Sequence, residues 1–118
     1  MNRPIRAVFI IFILMIAPFA NATEWKSLRG TFAMTAENYL DPGEKEATDS
    51  HLRIQLTGQG AKDLFMSMKV TAKKDACTGA MQRRVGAMEC RHYAPSSRYE
   101  CAFSINVMQQ KIESGVSC

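Results

Sequence analysis

The chain has little with which to do chemistry. It holds two histidines and one tryptophan in 118 residues. It contains no C-x-x-C pair, no H-E-x-x-H, no glycine-rich phosphate loop and no serine in a nucleophile elbow. Those absences argue against thiol redox catalysis, zinc proteolysis, nucleotide hydrolysis and serine-hydrolase chemistry. There is also no internal repeat, no low-complexity tract and no linker long enough to separate two domains. No catalytic residue, cofactor or metal site is expected.

Long apolar runs are confined to the N-terminus. Arg3 and Arg6 precede "AVFIIFILMIA" from Ala7 to Ala17, and Pro18 stops that run. Ala20-Asn21-Ala22 then supplies small residues at the spacing a signal peptidase reads. The run is shorter than the roughly 20 residues a spanning helix needs, so residues 1–22 read as a cleaved signal peptide and 23–118 as one exported domain. Removing Arg3 and Arg6 lowers the formal charge from +4 to +2. The mature chain therefore lacks the basic stripe that nucleic acid demands. A periplasmic or secreted location follows, with no nucleic-acid partner and no membrane attachment after cleavage.

All four cysteines, Cys77, Cys90, Cys101 and Cys118, fall in the mature part. An even count in a short exported chain reads as a disulfide framework. The strongest strand signal is "RYECAFSINV", where Tyr99, Cys101, Phe103, Ile105 and Val107 alternate with polar or small residues. Its partner is "GAMECRHY". A four-residue loop Ala94-Pro95-Ser96-Ser97, read as a type I turn with proline second, sets Tyr93 opposite Arg98, Arg91 opposite Glu100 and Cys90 opposite Cys101. Those pairs allow a cation–π contact, an ion pair and a disulfide. The rival two-residue Ser96-Ser97 loop sets Cys101 against His92 and lacks the glycine or asparagine that tight turns want. The first register leaves Cys77 with Cys118, although four cysteines allow three connectivities.

Upstream, period-two alternation predicts strands over about Ser27–Thr35 and through "HLRIQLTG". Ala61, Leu64, Phe65 and Met68 form one helical stripe, predicting a helix from Gln59 or Gly60 to about Lys69. The fold class expected is α+β: an antiparallel sheet of about four strands, one helix packed on its apolar face, and a disulfide-stapled C-terminal hairpin. The helical stripe is expected to meet Phe103, Ile105 and Val107.

Function is sought in loops and edges. Two groups stand out as partner-binding candidates: the acidic loop with Glu37, Asp41, Glu44 and Glu46, and the basic group Lys73, Lys74, Arg83 and Arg84. His92 reads as a packing residue at the hairpin end. Met66 and Met68 point about 200° apart on a helix and cannot share an ion. The expected function is a small exported, disulfide-bonded protein of the inhibitor or immunity type that binds another protein. The alternatives are an envelope metal or small-ligand binder, resting on His51, His92 and the methionines, and a cell-wall hydrolase using a carboxylate pair.

Overall fold

The computed structural model describes residues 23–115; the predicted signal peptide and Cys118 lie outside the described residues. The described residues form an antiparallel sheet with one helix, the α+β class expected, but with seven strands in place of about four. The strands are β1 (Arg29–Thr35), β2 (His51–Thr57), β3 (Lys73–Lys74), β4 (Met81–Val85), β5 (Met88–Tyr93), β6 (Arg98–Asn106) and β7 (Lys111–Glu113). Helix α1 (Gly58–Ser67) follows β2 directly. The sheet runs β1-β2-β6-β5-β4-β3, and β7 also pairs with β6. Residues 104–106 of β6 pair with β7 and residues 98–102 with β5, so β7 continues the line of β5.

The extra strands have local causes. Gly86 and Ala87 make a two-residue turn joining Val85 to Met88. Gly86 sits at φ +60 and Ala87 does not share a positive φ, the pattern of a II′ hairpin, which wants glycine first. That turn adds β4, which lies before the expected strand "GAMECRHY", as a partner of β5. The other two additions are short: β3 is two lysines, and β7 is a three-residue return after the turn at Gln110.

The C-terminal hairpin has the expected register. Tyr93 opposes Arg98, Arg91 opposes Glu100 and Cys90 opposes Cys101. Cys90 and Cys101 form a disulfide with Cα atoms 4.0 Å apart, and Arg98 lies over the Tyr93 ring at 4.0 Å. Two details differ. The Ala94–Pro95 peptide is cis, in place of the trans proline of a type I turn. Arg91 pairs with Asp75 and Glu89, not with Glu100, because all three side chains share the polar face and Asp75 is brought there by the loop before β4. Cys77, in that same loop, is also disulfide-bonded.

Paired registers divide the sheet into cross-strand rows. On the helix side, one row is Gly30, Leu56, Cys101, Cys90 and Arg83. The next is Phe32, Ile54 and Phe103, and the last is Met34, Leu52, Ile105 and Ile112. Helix α1 covers the first. Ala61, Phe65 and Met68 are buried with Leu56, Cys90 and Cys101, and Leu64, Tyr99 and Phe103 pack at the margin of that cluster. Phe103 thus meets the helix side as expected. Ile105 and Val107 do not, since Val107 is 46% exposed and neither belongs to the core cluster. The connection decides this. Gly58, at φ +67, turns the chain straight from strand into helix with no linker. Ten residues of helix span only about 15 Å, so α1 lies over the disulfide end and stops there. Arg83 seals its C-terminus: Nη1 donates to the Phe65 and Met68 carbonyls, and the guanidinium sits 4.5 Å from the Phe65 ring centre. A cation there satisfies carbonyls that the helix leaves open.

Candidate functional site

Because α1 stops short, the row of Met34, Leu52, Ile105 and Ile112 lies beyond the core cluster, and the row of Phe32, Ile54 and Phe103 meets it only through Ile54 and Phe103. Phe32 is 73% exposed, Ile112 51% and Met34 45%, while Leu52, Ile54, Phe103 and Ile105 are half-buried by their neighbours. Val107 and Met108, both exposed, extend this surface through the turn after β6. A contiguous apolar surface on a small domain is a feature that calls for a covering partner.

The acidic loop borders the same end. It leaves β1 beside Met34 and enters β2 beside Leu52, and the Val107 amide donates to the Ser50 carbonyl at 3.0 Å, holding the loop base to the β6–β7 turn. The loop is folded on itself. Glu46 accepts hydrogen bonds from the Asn38 and Gly43 amides at 2.8 and 3.0 Å. Those amides, Asn38 first, hold its carboxyl below the usual range. Arg53 anchors the loop's start from the opposite face, donating to Thr35 Oγ1 and the Glu37 carbonyl and lying 4.3 Å from the centre of the Tyr39 ring. Glu46 is therefore committed internally. Glu37, Asp41, Glu44 and Asp49 are exposed, on a loop that joins β1 to β2 at the end of the open rows.

The basic candidates do not come together as one surface. Lys73 opposes Gln82 and Lys74 opposes Met81, so Lys74 and Arg83 lie on the helix side, while Lys73 and Arg84 lie on the other. Arg83 caps the helix, and Arg84 reaches Glu89 at 2.6 Å. Lys73, Gln82 and Arg84 flank a hollow of about 460 Å³.

The polar side of the sheet hides groups that sequence alternation assigns to solvent. Glu89 is 1% exposed, His51 3% and Ser104 1%. The final described residues cross over them: Ser104 Oγ donates to the Ser114 carbonyl and Arg53 Nη1 to the Gly115 carbonyl. His51 Nδ1 lies 2.8 Å from Ser50 Oγ, and Nε2 lies 2.8 Å from Glu113 Oε2. This chain has the order of a catalytic relay, but the ring is sealed and both nitrogens are occupied. It works as a strut holding β7 to the sheet. His92 stacks on Tyr99 with centroids 4.3 Å apart and meets the Ser96 carbonyl at 3.1 Å. Among the described residues, no group of three or more His, Cys, Asp and Glu could hold a metal ion.

The strut makes stability depend on pH. The hydrogen bond from His51, helped by Asn106 and Lys111, holds the Glu113 carboxyl below its ordinary range despite some desolvation. Asp75 is likewise lowered, chiefly by the Thr78 hydroxyl. A depressed folded-state pKa contributes stability that is present above the unfolded value, about 4.3 for Glu. That stability is lost as pH falls through the folded value. Glu113→Gln is expected to be less stable than the parent at neutral pH, with the gap narrowing as pH falls below the unfolded value of about 4.3. Thermal midpoints across pH check this; a gap that stays constant contradicts it.

Comparison with protein-family models, with curated proteins and with solved structures finds no match to this chain. The site must therefore be read from its own geometry.

Proposed function

We propose that the protein is exported and binds another protein, acting as an inhibitor or immunity-type cap. The observation that carries this reading is the uncovered apolar floor bordered by the acidic loop. Met34, Leu52, Ile105 and Ile112 lie in one row across four strands. A partner of matching chemistry has an apolar patch ringed by lysine or arginine. The floor would supply most of the affinity, since buried apolar anchors dominate interfaces. The exposed acids would steer the encounter and set its salt dependence. Export is supported by the leader-like N-terminus and by the disulfides, which persist in oxidising compartments. Among the described residues no helix is long and apolar enough to cross a membrane.

The test is capture from an envelope extract, with purified partner then titrated against variants. Ile112→Asp is expected to weaken binding by 30-fold or more, the scale of an anchor worth about 2 kcal/mol. Asp41→Lys with Glu44→Lys is expected to slow association and flatten its salt dependence. Repeated capture of nothing, or a partner indifferent to Ile112→Asp, removes the proposal.

A further inference from the structure

The two ends of the strand path from β1 to β3 are built differently. At one end β3 is two residues long and both are lysines, a short, charged edge of the kind that resists pairing. At the other end β1 is seven residues, Arg-Gly-Thr-Phe-Ala-Met-Thr, and only its first residue is charged. It pairs with β2 along one side, and among the described residues no strand pairs with its other side. Six of its residues are exposed. Its outward amides and carbonyls form a template for another strand.

The helix-side surface of this edge has a specific shape. A groove of about 330 Å³ opens at Gly30, walled by Leu28, Phe32, Leu52, Ile54 and Leu56. Gly30 is held to a missing side chain: a Cβ would lie 2.4 Å from the Gln55 carbonyl oxygen. The strand thus carries a hole at position 30 and a protruding aromatic at position 32.

We propose that β1 pairs antiparallel with β1 of a second copy, with the two-fold axis passing through Thr31. In that register Phe32 of each copy lies opposite Gly30 of the other and fills its groove. Aromatic side chains over strand glycines are a recognised way to complete such a ladder. Leu28 meets Met34, so both helix-side pairs are apolar. On the other face Thr31 meets Thr31 and Arg29 meets Ala33, so no like charges oppose each other. Centring on Phe32 instead would set Gly30 against Met34 and leave the two aromatics face to face, with the groove unfilled by a ring.

The pairing is isologous and closes after two copies, because the edge at β3 is guarded by Lys73 and Lys74 and the outer side of β7 is only three residues long. Phe32 presents roughly 150 Å² of exposed ring and stem on the scale of an aromatic side chain. With Leu28, Met34 and the strand backbone, the interface falls near the lower bound of stable interfaces, about 1,200 Å² in total. The dimer is accordingly concentration-dependent. It joins the apolar floors of two copies into one continuous sheet surface. This inference does not depend on the proposed function, because it is read from self-association alone.

Protein purified from cells expressing the full 118-residue chain tests it by sedimentation over a range of concentrations. A monomer–dimer equilibrium is expected. Thr31→Lys and Thr31→Glu each place like charges on the two-fold axis and are expected to raise the dimer dissociation constant at least tenfold. Mixing the two variants restores dimer, because Lys then opposes Glu. Only the Thr31-centred register predicts that rescue. Thr31→Cys is further expected to give a covalent dimer under mild oxidation. A monomer at every concentration overturns the proposal. So does a dimer that both charged variants leave intact, or a mixture that rescues nothing.

Discussion

Replacing Cys90 and Cys101 together by alanine is expected to remove about 3 kcal/mol of folding stability. The bridge closes a short loop, with a sequence separation of 11. A 15-residue closed loop corresponds to about 3 kcal/mol of constraint on the unfolded chain. Against a total of about 5–15 kcal/mol for a small domain, that is a large fraction. It should lower the thermal midpoint by roughly 12–24 °C, taking 4–8 °C per kcal/mol. The position of the bridge adds to its weight. Cys90 and Cys101 are 0% and 1% exposed, and Cys101 Sγ lies 3.3 Å from the Ala61 carbonyl oxygen beneath α1. The sulfurs are therefore core atoms as well as a crosslink. Replacing both by serine should cost more than alanine, since it puts two hydroxyls into an apolar cluster with a single nearby carbonyl. The native bridge should also resist reductant until the domain opens. Urea unfolding of both variants decides the matter. A double-alanine variant within 1 kcal/mol of the parent would mean that the hairpin loop and its cross-strand pairs hold the register unaided.

The same hairpin shows what this sequence makes legible. Long alternation in β6 and the paired chemistry of Tyr93–Arg98 and Cys90–Cys101 specify one register, because slipping by one residue sends every side chain to the other face. The α1 stripe is legible for the same reason, with Ala61, Phe65 and Met68 buried and Met66 53% exposed. Two of the three missed strands are too short to carry a period. β3 has two residues and β7 three, and tertiary pairing decides such segments. The β4–β5 turn did carry a signal, Gly86 at the first of two loop positions between apolar residues, which a II′ reading could have found.

The candidate site was less legible than the fold. Alternation identifies an apolar face but says nothing about how much of it the helix covers. That depends on Gly58 turning the chain without a linker, which places α1 over the disulfide and away from Ile105. The acidic loop could be found from composition, and its place beside the open rows could not. Arg83 and Arg84 show the opposite failure: they look like a basic patch in sequence, but strand alternation sends them to opposite faces. Each then acts inside the molecule, one on the helix carbonyls and one on Glu89.

Glu89 carries the second large effect. It is a carboxylate 1% exposed on the polar side of the sheet, an environment in which an unpaired charge is costly. Arg84 and Gln82 donate to Oε2, and Arg91 Nη2 lies 3.3 Å from Oε1. Arg91 in turn reaches Asp75 at 3.1 Å. Asp75 also binds the Thr78 hydroxyl and the Cys77 amide, so the network ties the loop before β4 to the sheet. Removing one partner of a buried ion pair typically costs about 3–5 kcal/mol, because the other charge is left uncompensated. Glu89→Ala is expected at the lower end, about 3 kcal/mol, for two reasons. Arg84 is 52% exposed and can turn to water, and Arg91 keeps Asp75. Glu89→Gln keeps the volume but aims an amide at arginine donors, so it should recover only part of the loss. A double-mutant cycle with Arg91→Ala separates pairing from packing. The pair variant should be more stable than the sum of the single losses predicts, by 1 kcal/mol or more. Strict additivity would mean that Glu89 is held by Arg84 and Gln82 alone. The buried ion network would then end at β4, and the loop carrying Cys77 would depend on its disulfide and on Asp75 to stay against the sheet.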